Sequence, residues 1–384
     1  MFHTRQQHTI KVAQIGRRLA EYCISQDQLK MFPGLDSEVD PDVVEAACMI
    51  HDLGHPPFGH VGEEELNEKV TPHRFDGFEG NAQSFRIITK LAVHKEDEDT
   101  PGIDLTRATL AACLKYPWPR QKGSKDRGQQ GKIDAYKKWS VYETEEKDFI
   151  FARQYCAPDK LTIEAELMEW ADDVAYSVHD LEDFHRCAAI PWQRLFANEK
   201  KSEIIDHVKA PPGVDIEQSY RALRSAIWDV FGETLAERYE GTRDQRWVLR
   251  NMTSNLIKLY ILSVGASDSS DGYKLDIPTE IRGQVAILKQ ITRDYIISTP
   301  ALAAQQVGYR AIIRSLFDTF YKTPTDEIPP FTPTRLRYLW PLRGDNKARF
   351  AADCVAAMSE TEAVRMHARL RGLDSGSILD PIVR

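Results

Sequence analysis

Apolar residues recur at helical spacing along almost the whole chain, and no alternating run is long enough to build a core sheet. Val12, Ile15, Leu19 and Cys23 fall at i, i+3, i+7 and i+11, one face of a first helix. In a second, Asp40 can cap, Pro41 suits the first turn, and Val44, Ala47 and Ile50 share one side. It runs to Ile50 and delivers His51 and Asp52 to its C-terminal end, where Gly54 can stop it. A third runs from about Thr162 to Phe184 on a stripe of Ile163, Leu167, Trp170 and Val174. Ile216–Phe231, Trp247–Val264, Ile281–Ile297, Pro300–Tyr321 and Ala348–Arg371 also suit helices. The expected fold is mainly α, with at most a small hairpin near Trp139–Thr144.

The 384 residues suffice for one large domain or two ordinary ones, and no internal repeat or long linker divides them. Thr323–Thr334, with four prolines, connects to the C-terminal helices, and the basic, glycine-containing stretch Arg120–Lys132 reads as a loop. Six scattered cysteines without a CxxC pair argue against a disulfide framework and a thiolate zinc site. Neither a membrane-spanning run nor a signal-peptide core is evident, so the expected location is cytoplasmic, with no membrane partner. A net charge of −8 gives no global pull on nucleic acid, so a polyanionic ligand needs a local cluster of Lys and Arg.

Chemistry concentrates in His51-Asp52-Leu53-Gly54-His55-Pro56-Pro57-Phe58-Gly59-His60-Val61-Gly62-Glu63. Adjacent His and Asp side chains can share one divalent metal, and two more histidines and a carboxylate follow within twelve residues. Any one of these histidines could be a hydrogen-bonded core residue. Together, around turn-forming glycines and prolines, they read as a metal-dependent active site.

The chain resembles the HD-domain deoxynucleoside triphosphate triphosphohydrolases, the bacterial dGTPase-like group in particular. The matching blocks are His3–Arg17 (His-Thr-Arg-Gln-Gln-His), His51–Glu63, Phe78-Glu79-Gly80-Asn81-Ala82-Gln83, Leu105–Leu110, Leu114-Lys115-Tyr116-Pro117-Trp118 and Ala171–Asp183. A weaker echo lies at Ala351–Glu360. The resemblance implies an HD-type helical bundle extended by further helices: a single domain over 1–384, with a catalytic core in 1–200 and a helical C-terminal part in 201–384. Family members carry a longer N-terminal segment that helps to form the nucleotide pocket, whereas this chain opens at Met1-Phe2-His3. The expectation is a truncated start or a pocket wall built differently.

The implied reaction is hydrolysis of a deoxynucleoside triphosphate at the α-phosphorus, giving a deoxynucleoside and tripolyphosphate. Carried onto this sequence, the metal ligands are His8, His51, Asp52 and Asp172. This mixed N/O set suits Mn²⁺ first, with Co²⁺, Ni²⁺, Fe²⁺ or Zn²⁺ as alternatives and Mg²⁺ less at ease with nitrogen. His60 and Glu63 match the catalytic His–carboxylate pair, and a carboxylate can fix an imidazole's tautomer and raise its basicity. His55 is a second candidate for protonation or charge stabilisation.

Arg5, three residues before His8, can fork onto a phosphate, and Lys115 and Lys138 are candidates for the others. Asp172, Tyr176 and Asp180 are spaced by four and share a helical face, each about 6 Å farther along the axis. The resemblance puts Tyr176 under the sugar, excluding a 2′-hydroxyl, and Asp180 on the 3′-hydroxyl. Tyr116 can stack on the base, and Asn81 and Gln83 can read base or phosphate edges, although an Asn in a Gly-Asn turn is as often structural. A homo-oligomer, ring-shaped in some relatives, is expected by analogy. Two other classes stay open. One is another HD phosphohydrolase, such as a nucleotidase. The other is a weakly catalytic regulatory assembly binding single-stranded DNA through the five Lys and Arg residues of Arg120–Lys132.

Overall fold

The computed structural model describes residues 4–29, 39–92, 102–120, 137–196, 201–269, 272–297, 299–323, 327–341 and 347–374. Helices come first in chain order as α1 (Arg5–Ser25), α2 (Pro41–Ile50), α3 (His60–Val70), α4 (Gly80–Arg86), α5 (Arg107–Ala112), α6 (Glu146–Arg153) and α7 (Ile163–Arg186). There follow α8 (Trp192–Phe196), α9 (Lys201–His207), α10 (Ile216–Ala236) and α11 (Arg243–Leu262). A short antiparallel hairpin, β1 (Gly265–Ser269) and β2 (Gly272–Asp276), precedes α12 (Thr279–Thr292), α13 (Pro300–Lys322), α14 (Lys347–Ala356) and α15 (Glu360–Leu370). The mainly α expectation is met, and no helix among the described residues is long and apolar enough to cross a membrane.

Two details differ from the sequence reading. The stretch around Trp139–Thr144 is no hairpin: Val141 makes an isolated bridge to Pro119, and Glu143–Glu145 is a 3-10 turn. Trp139, Val141 and Tyr142 are strand-prone residue types, and here they are buried without forming a hairpin. The last helix is two, because Ser359 caps α15 in a capping box with Glu362.

The chain divides into two compact units, Met1–Ile50 with Leu161–Ala303, and His51–Lys160 with Ala304–Arg384. In the first, α1 packs against α2 and α7. Buried Val12, Ile15, Leu19 and Cys23 on α1 are joined by Val44 and Ala47 on α2 and by Leu167, Ala171 and Val174 on α7. Gly16 permits the close approach, since a Cβ there would collide with the Cys48 sulfur. Helices α10, α11 and α12 complete the unit around α7.

In the second unit Leu66, Val70, Phe78, Phe317, Phe320 and Phe350 belong to one apolar core. Alongside lies a buried ion network: Arg86 bonds Asp353 at 2.9 Å and Glu145 at 2.8 Å, while Arg349 reaches Asp76 at 3.2 Å. Removing one member would strand a buried charge, a loss of about 3–5 kcal/mol. The weak sequence echo at Ala351–Glu360 therefore marks a structural node, Asp353.

Candidate functional site

The first unit contributes a pair from two helices. His8 lies one turn into α1, whose N-terminus is fixed by a capping box between Thr4 and Gln7; Arg5, exposed, is the helix's first residue. His8 Nε2 is 3.2 Å from Asp172 Oδ1 on α7. One and two turns further along α7 stand Tyr176 and Asp180, which share a hydrogen bond. Burial pushes the Asp180 carboxyl up to about 7 and the Tyr176 hydroxyl up to about 12. Asp173 points elsewhere, in an ion pair with Lys289 of α12.

The second unit begins with the His-Asp dipeptide, which follows directly on the last residue of α2. His51 is buried, with Nε2 3.6 Å from Asp52 Oδ2. The other Asp52 oxygen lies 3.1 Å from Nδ1 of His55. Gly54 does not cap α2, which ends at Ile50, and its φ is not positive; its role is close packing. A Cβ there would collide with the Gly80 carbonyl and the Ser84 amide, and the Gly54 amide bonds the Ser84 hydroxyl at 2.9 Å. The motif loop thus lies directly on α4. Phe58 (φ 66°) and Gly59 (φ 59°) then turn the chain through left-handed conformations so that His60 opens α3.

His60 and Glu63 form a hydrogen-bonded pair one turn apart, Nδ1 to Oε2 3.0 Å. The imidazole is 77% exposed while the carboxylate is buried. Glu63 also accepts from the Gly80 amide at 3.2 Å and from Lys138 Nζ at 2.8 Å. Burial alone would raise its pKa, but the bond to His60 and the charge of Lys138 outweigh that and hold it well below the carboxylate range. The bond to Glu63 in turn raises His60. A proton carrier that faces solvent and is gripped from behind by an ionised carboxylate suits acid–base work. His55, His60 and Glu63 bring donor atoms within 4.8 Å of one another. Because the Lys138 ammonium already occupies the Glu63 carboxylate, this trio reads as acid–base rather than metal-holding.

Lys138 is not a loose surface cation. Its ammonium also bonds Glu79 at 3.0 Å, and its carbonyl accepts from Trp118 Nε1 at 2.8 Å. The Tyr116 amide bonds Ser140, so the Lys115-Tyr116-Pro117-Trp118 strap is stitched to the segment that carries Lys138. Lys115 and Tyr116 are themselves half-buried. Glu79 received no role from sequence; its position just ahead of a helix start was the available signal, since there it caps α4. Asn81 bonds Glu79 and Gln83 bonds Asp353, contacts that agree with the structural alternative for both.

Metal donors around one ion at about 2.1 Å sit about 3 Å from their cis neighbours. The 3.2 Å and 3.6 Å separations in His8–Asp172 and His51–Asp52 fit that spacing, and the N/O donors suit a divalent transition metal.

A separate feature of the first unit is a cleft of about 1130 Å³ whose lining includes α1, α7 and α11. Arg243, Arg246 and Arg250 occupy one face of α11 with Trp247, which is 65% exposed; Arg18 and Lys11 line the cleft from α1. The basic loop read from sequence lies mostly outside the described residues. Its first member, Arg120, is buried and stacks on Trp139 with its guanidinium 4.5 Å from the ring, so it is committed to the fold.

Comparison with known proteins agrees with the sequence blocks. The HD domain family model matches residues 5–177, and the phosphohydrolase-associated domain matches 275–369. A deoxyguanosinetriphosphate triphosphohydrolase-like protein of Streptomyces coelicolor is 33% identical over 96% of this chain and 84% of its own length. Proteins of the same description from Bifidobacterium longum (31%; 96% and 75%) and Corynebacterium glutamicum (29%; 94% and 82%) are also similar. The helical fold, the two histidine–aspartate pairs and these matches together place the chain in the HD-domain phosphohydrolases, among the deoxyguanosinetriphosphate triphosphohydrolase-like proteins.

Proposed function

We propose that the protein hydrolyses a deoxynucleoside triphosphate, dGTP or dNTPs generally, at the α-phosphorus, releasing a deoxynucleoside and tripolyphosphate. The observation that carries this reading is the exposed His60 held by buried Glu63, on the same short peptide as the His51–Asp52 pair. The proposed ligands of one divalent cation, Mn²⁺ first, are His8, His51, Asp52 and Asp172. When bound, such an ion polarises a phosphoryl oxygen and lowers the pKa of water.

The chain's own groups do the rest. A water oxygen bonds the α-phosphorus, the bond to the 5′-oxygen breaks, and one proton passes to that departing oxygen. His60 is the proposed proton carrier, with Glu63 fixing its Nδ1. His55, facing Asp52, holds that carboxylate in orientation. Arg5 and Lys115 are proposed for the phosphates, with Lys138 joining them if it leaves its two carboxylates. Tyr176 is proposed to pack under the sugar, Asp180 to receive the 3′-hydroxyl and Tyr116 to stack on the base. On this reading residues 1–384 work as one HD-type domain, in a cytoplasmic homo-oligomer.

The test is purified protein with Mn²⁺ and each dNTP and rNTP, read by chromatography of the phosphate products. Tripolyphosphate from dNTPs supports the reading; orthophosphate from a monophosphate would turn it to a nucleotidase. A nucleic-acid partner has one observation in its favour, the arginine row of α11 beside exposed Trp247. Guanidiniums tracking a backbone with an aromatic for base stacking are the elements of a single-strand groove.

A further inference from the structure

We infer that Glu79 is a positioning residue for the proton carrier: it draws the Lys138 ammonium away from Glu63 and so leaves Glu63 available to His60. This rests on the reading of His60 as that carrier. Lys138 Nζ lies between two buried carboxylates, 2.8 Å from Glu63 Oε1 and 3.0 Å from Glu79 Oε1. His60 and Lys138 therefore compete for one carboxylate, and Glu79 decides how much of the ammonium Glu63 receives.

Glu79 cannot drift from this post. Its Oε2 accepts from the amides of Asn81 at 2.6 Å and Ala82 at 3.1 Å, and its Oε1 from the Asn81 side chain at 2.8 Å. Its own amide bonds the Tyr142 hydroxyl at 3.2 Å. Arg349 lies 3.6 Å from the centre of the Tyr142 ring. Among the described residues, Asp52 and the edge of His55 also act on or face His60.

Charge counting gives the sign. With both carboxylates ionised and Lys138 charged, the cluster carries −1, which a proton on His60 cancels. Without the Glu79 charge the cluster is neutral and a protonated His60 is in excess. Without the Lys138 charge the cluster carries −2 and favours the proton more. Burial pushes Glu79 up to about 7, so its charge is fully present only on the alkaline side of neutrality.

The experiment titrates the His60 ring by NMR in metal-free full-length protein with ¹³C-labelled histidine, His60→Gln supplying the assignment. Glu79→Gln should lower the His60 midpoint by on the order of half a unit, and Lys138→Met should raise it by a similar amount. The acid limb of the turnover profile should move with Glu79→Gln in the same direction. Glutamine keeps an oxygen for the α4 cap, and circular dichroism checks the fold. If Glu79→Gln does not fold, a Lys138→Met shift that is absent or downward still overturns the inference. Shifts of the same sign, or no shift in a folded variant, overturn the inference. Because the titration needs no substrate, it separates this failure from failure of the triphosphohydrolase reading, which would show as the expected midpoint shifts with no tripolyphosphate formed by the wild type.

Discussion

Replacing Glu63 by glutamine changes one atom and one charge, and the structure says which proton is misplaced as a result. In the wild type three donors converge on the carboxylate: Lys138 and the Gly80 amide on Oε1, and His60 Nδ1 on Oε2. An ionised carboxylate can only accept, so His60 carries its proton on Nδ1 and offers a basic Nε2. An amide has one oxygen. If it stays with Lys138 and Gly80, its NH₂ faces Nδ1 and forces the proton to Nε2, the wrong tautomer for a base. Loss of a correctly oriented general base costs about 10²–10⁴ in rate, with the wrong-tautomer case in serine proteases near the upper end. Lys138 keeps Glu79, so the stability loss is about one charge-assisted hydrogen bond, about 1.5–3 kcal/mol, or a Tm lower by about 2–4 °C for a chain of 384 residues. Because Glu63 is held below its ordinary pKa, that stabilisation is complete above about pH 4.5; it drains away as pH falls through the depressed value, and the gap between variant and wild type closes with it. The assay is dNTP turnover at pH 7 and at higher pH, beside melts at pH 7 and pH 4. Turnover within about tenfold of wild type in a folded protein would refute the tautomer argument.

Other substitutions separate the remaining roles. His51→Ala should abolish stoichiometric Mn²⁺ binding, whereas His60→Ala should keep the metal and lose turnover; equal metal loss, read by calorimetry, would mean ligand and proton carrier have been confused. The same titration with Asp172→Ala asks whether the two histidine–aspartate pairs share one ion, since a shared ion predicts loss from either side. Tyr176→Ala should narrow the preference for dNTPs over rNTPs by about tenfold or more, and an unchanged ratio would remove its proposed gate role. Gly54→Ala should cost about 3 kcal/mol or more, because its Cβ would meet the backbone of α4 rather than a side chain that can yield; a melt within 2 °C of wild type would sink that reading. Arg246→Ala with Arg250→Ala should weaken any affinity for single-stranded DNA and lower its salt slope by about one to two, leaving Mn²⁺ binding unchanged. An identical salt slope would clear the α11 face of that role.

The helices were legible because each buries a stripe against neighbours. Val12, Ile15, Leu19 and Cys23 had one role, and the structure gives them that role. Boundaries set by tertiary contact were less so. Nothing in periodicity separates α14 from α15, because Ser359 and Glu362 form a cap only once the chain turns there. The hairpin was misplaced for a related reason. Trp139, Val141 and Tyr142 look like strand residues because they are strand-prone types, while the true strands, Gly265–Ser269 and Gly272–Asp276, are largely polar. Strand propensity reports burial on a pleated surface, and here burial came without the pleat.

For the site, proximity in sequence was the limit. His51, Asp52, His60 and Glu63 lie on one peptide, so their relation could be read from helix-turn spacing. His8 and Asp172 stand 164 residues apart, and only the resemblance to a family joined them before the 3.2 Å contact did. Lys138 marks the deeper limit. As a sequence position it was a cation awaiting a phosphate; in the fold its ammonium is shared by two buried carboxylates. Any phosphate that recruits Lys138 must draw it away from Glu63 and Glu79. On the wild-type charge count this leaves His60 facing two uncompensated carboxylates, so its proton affinity rises as substrate binds. Substrate arrival and proton supply would then be coupled through one side chain. The coupling predicts that the His60 midpoint climbs when a non-hydrolysable dNTP analogue is added, and that Lys138→Met, already lacking the charge to be moved, shows no such climb. A His60 midpoint indifferent to the analogue in a wild type that binds it would leave Lys138 where the fold puts it, as a strut between carboxylates and nothing more.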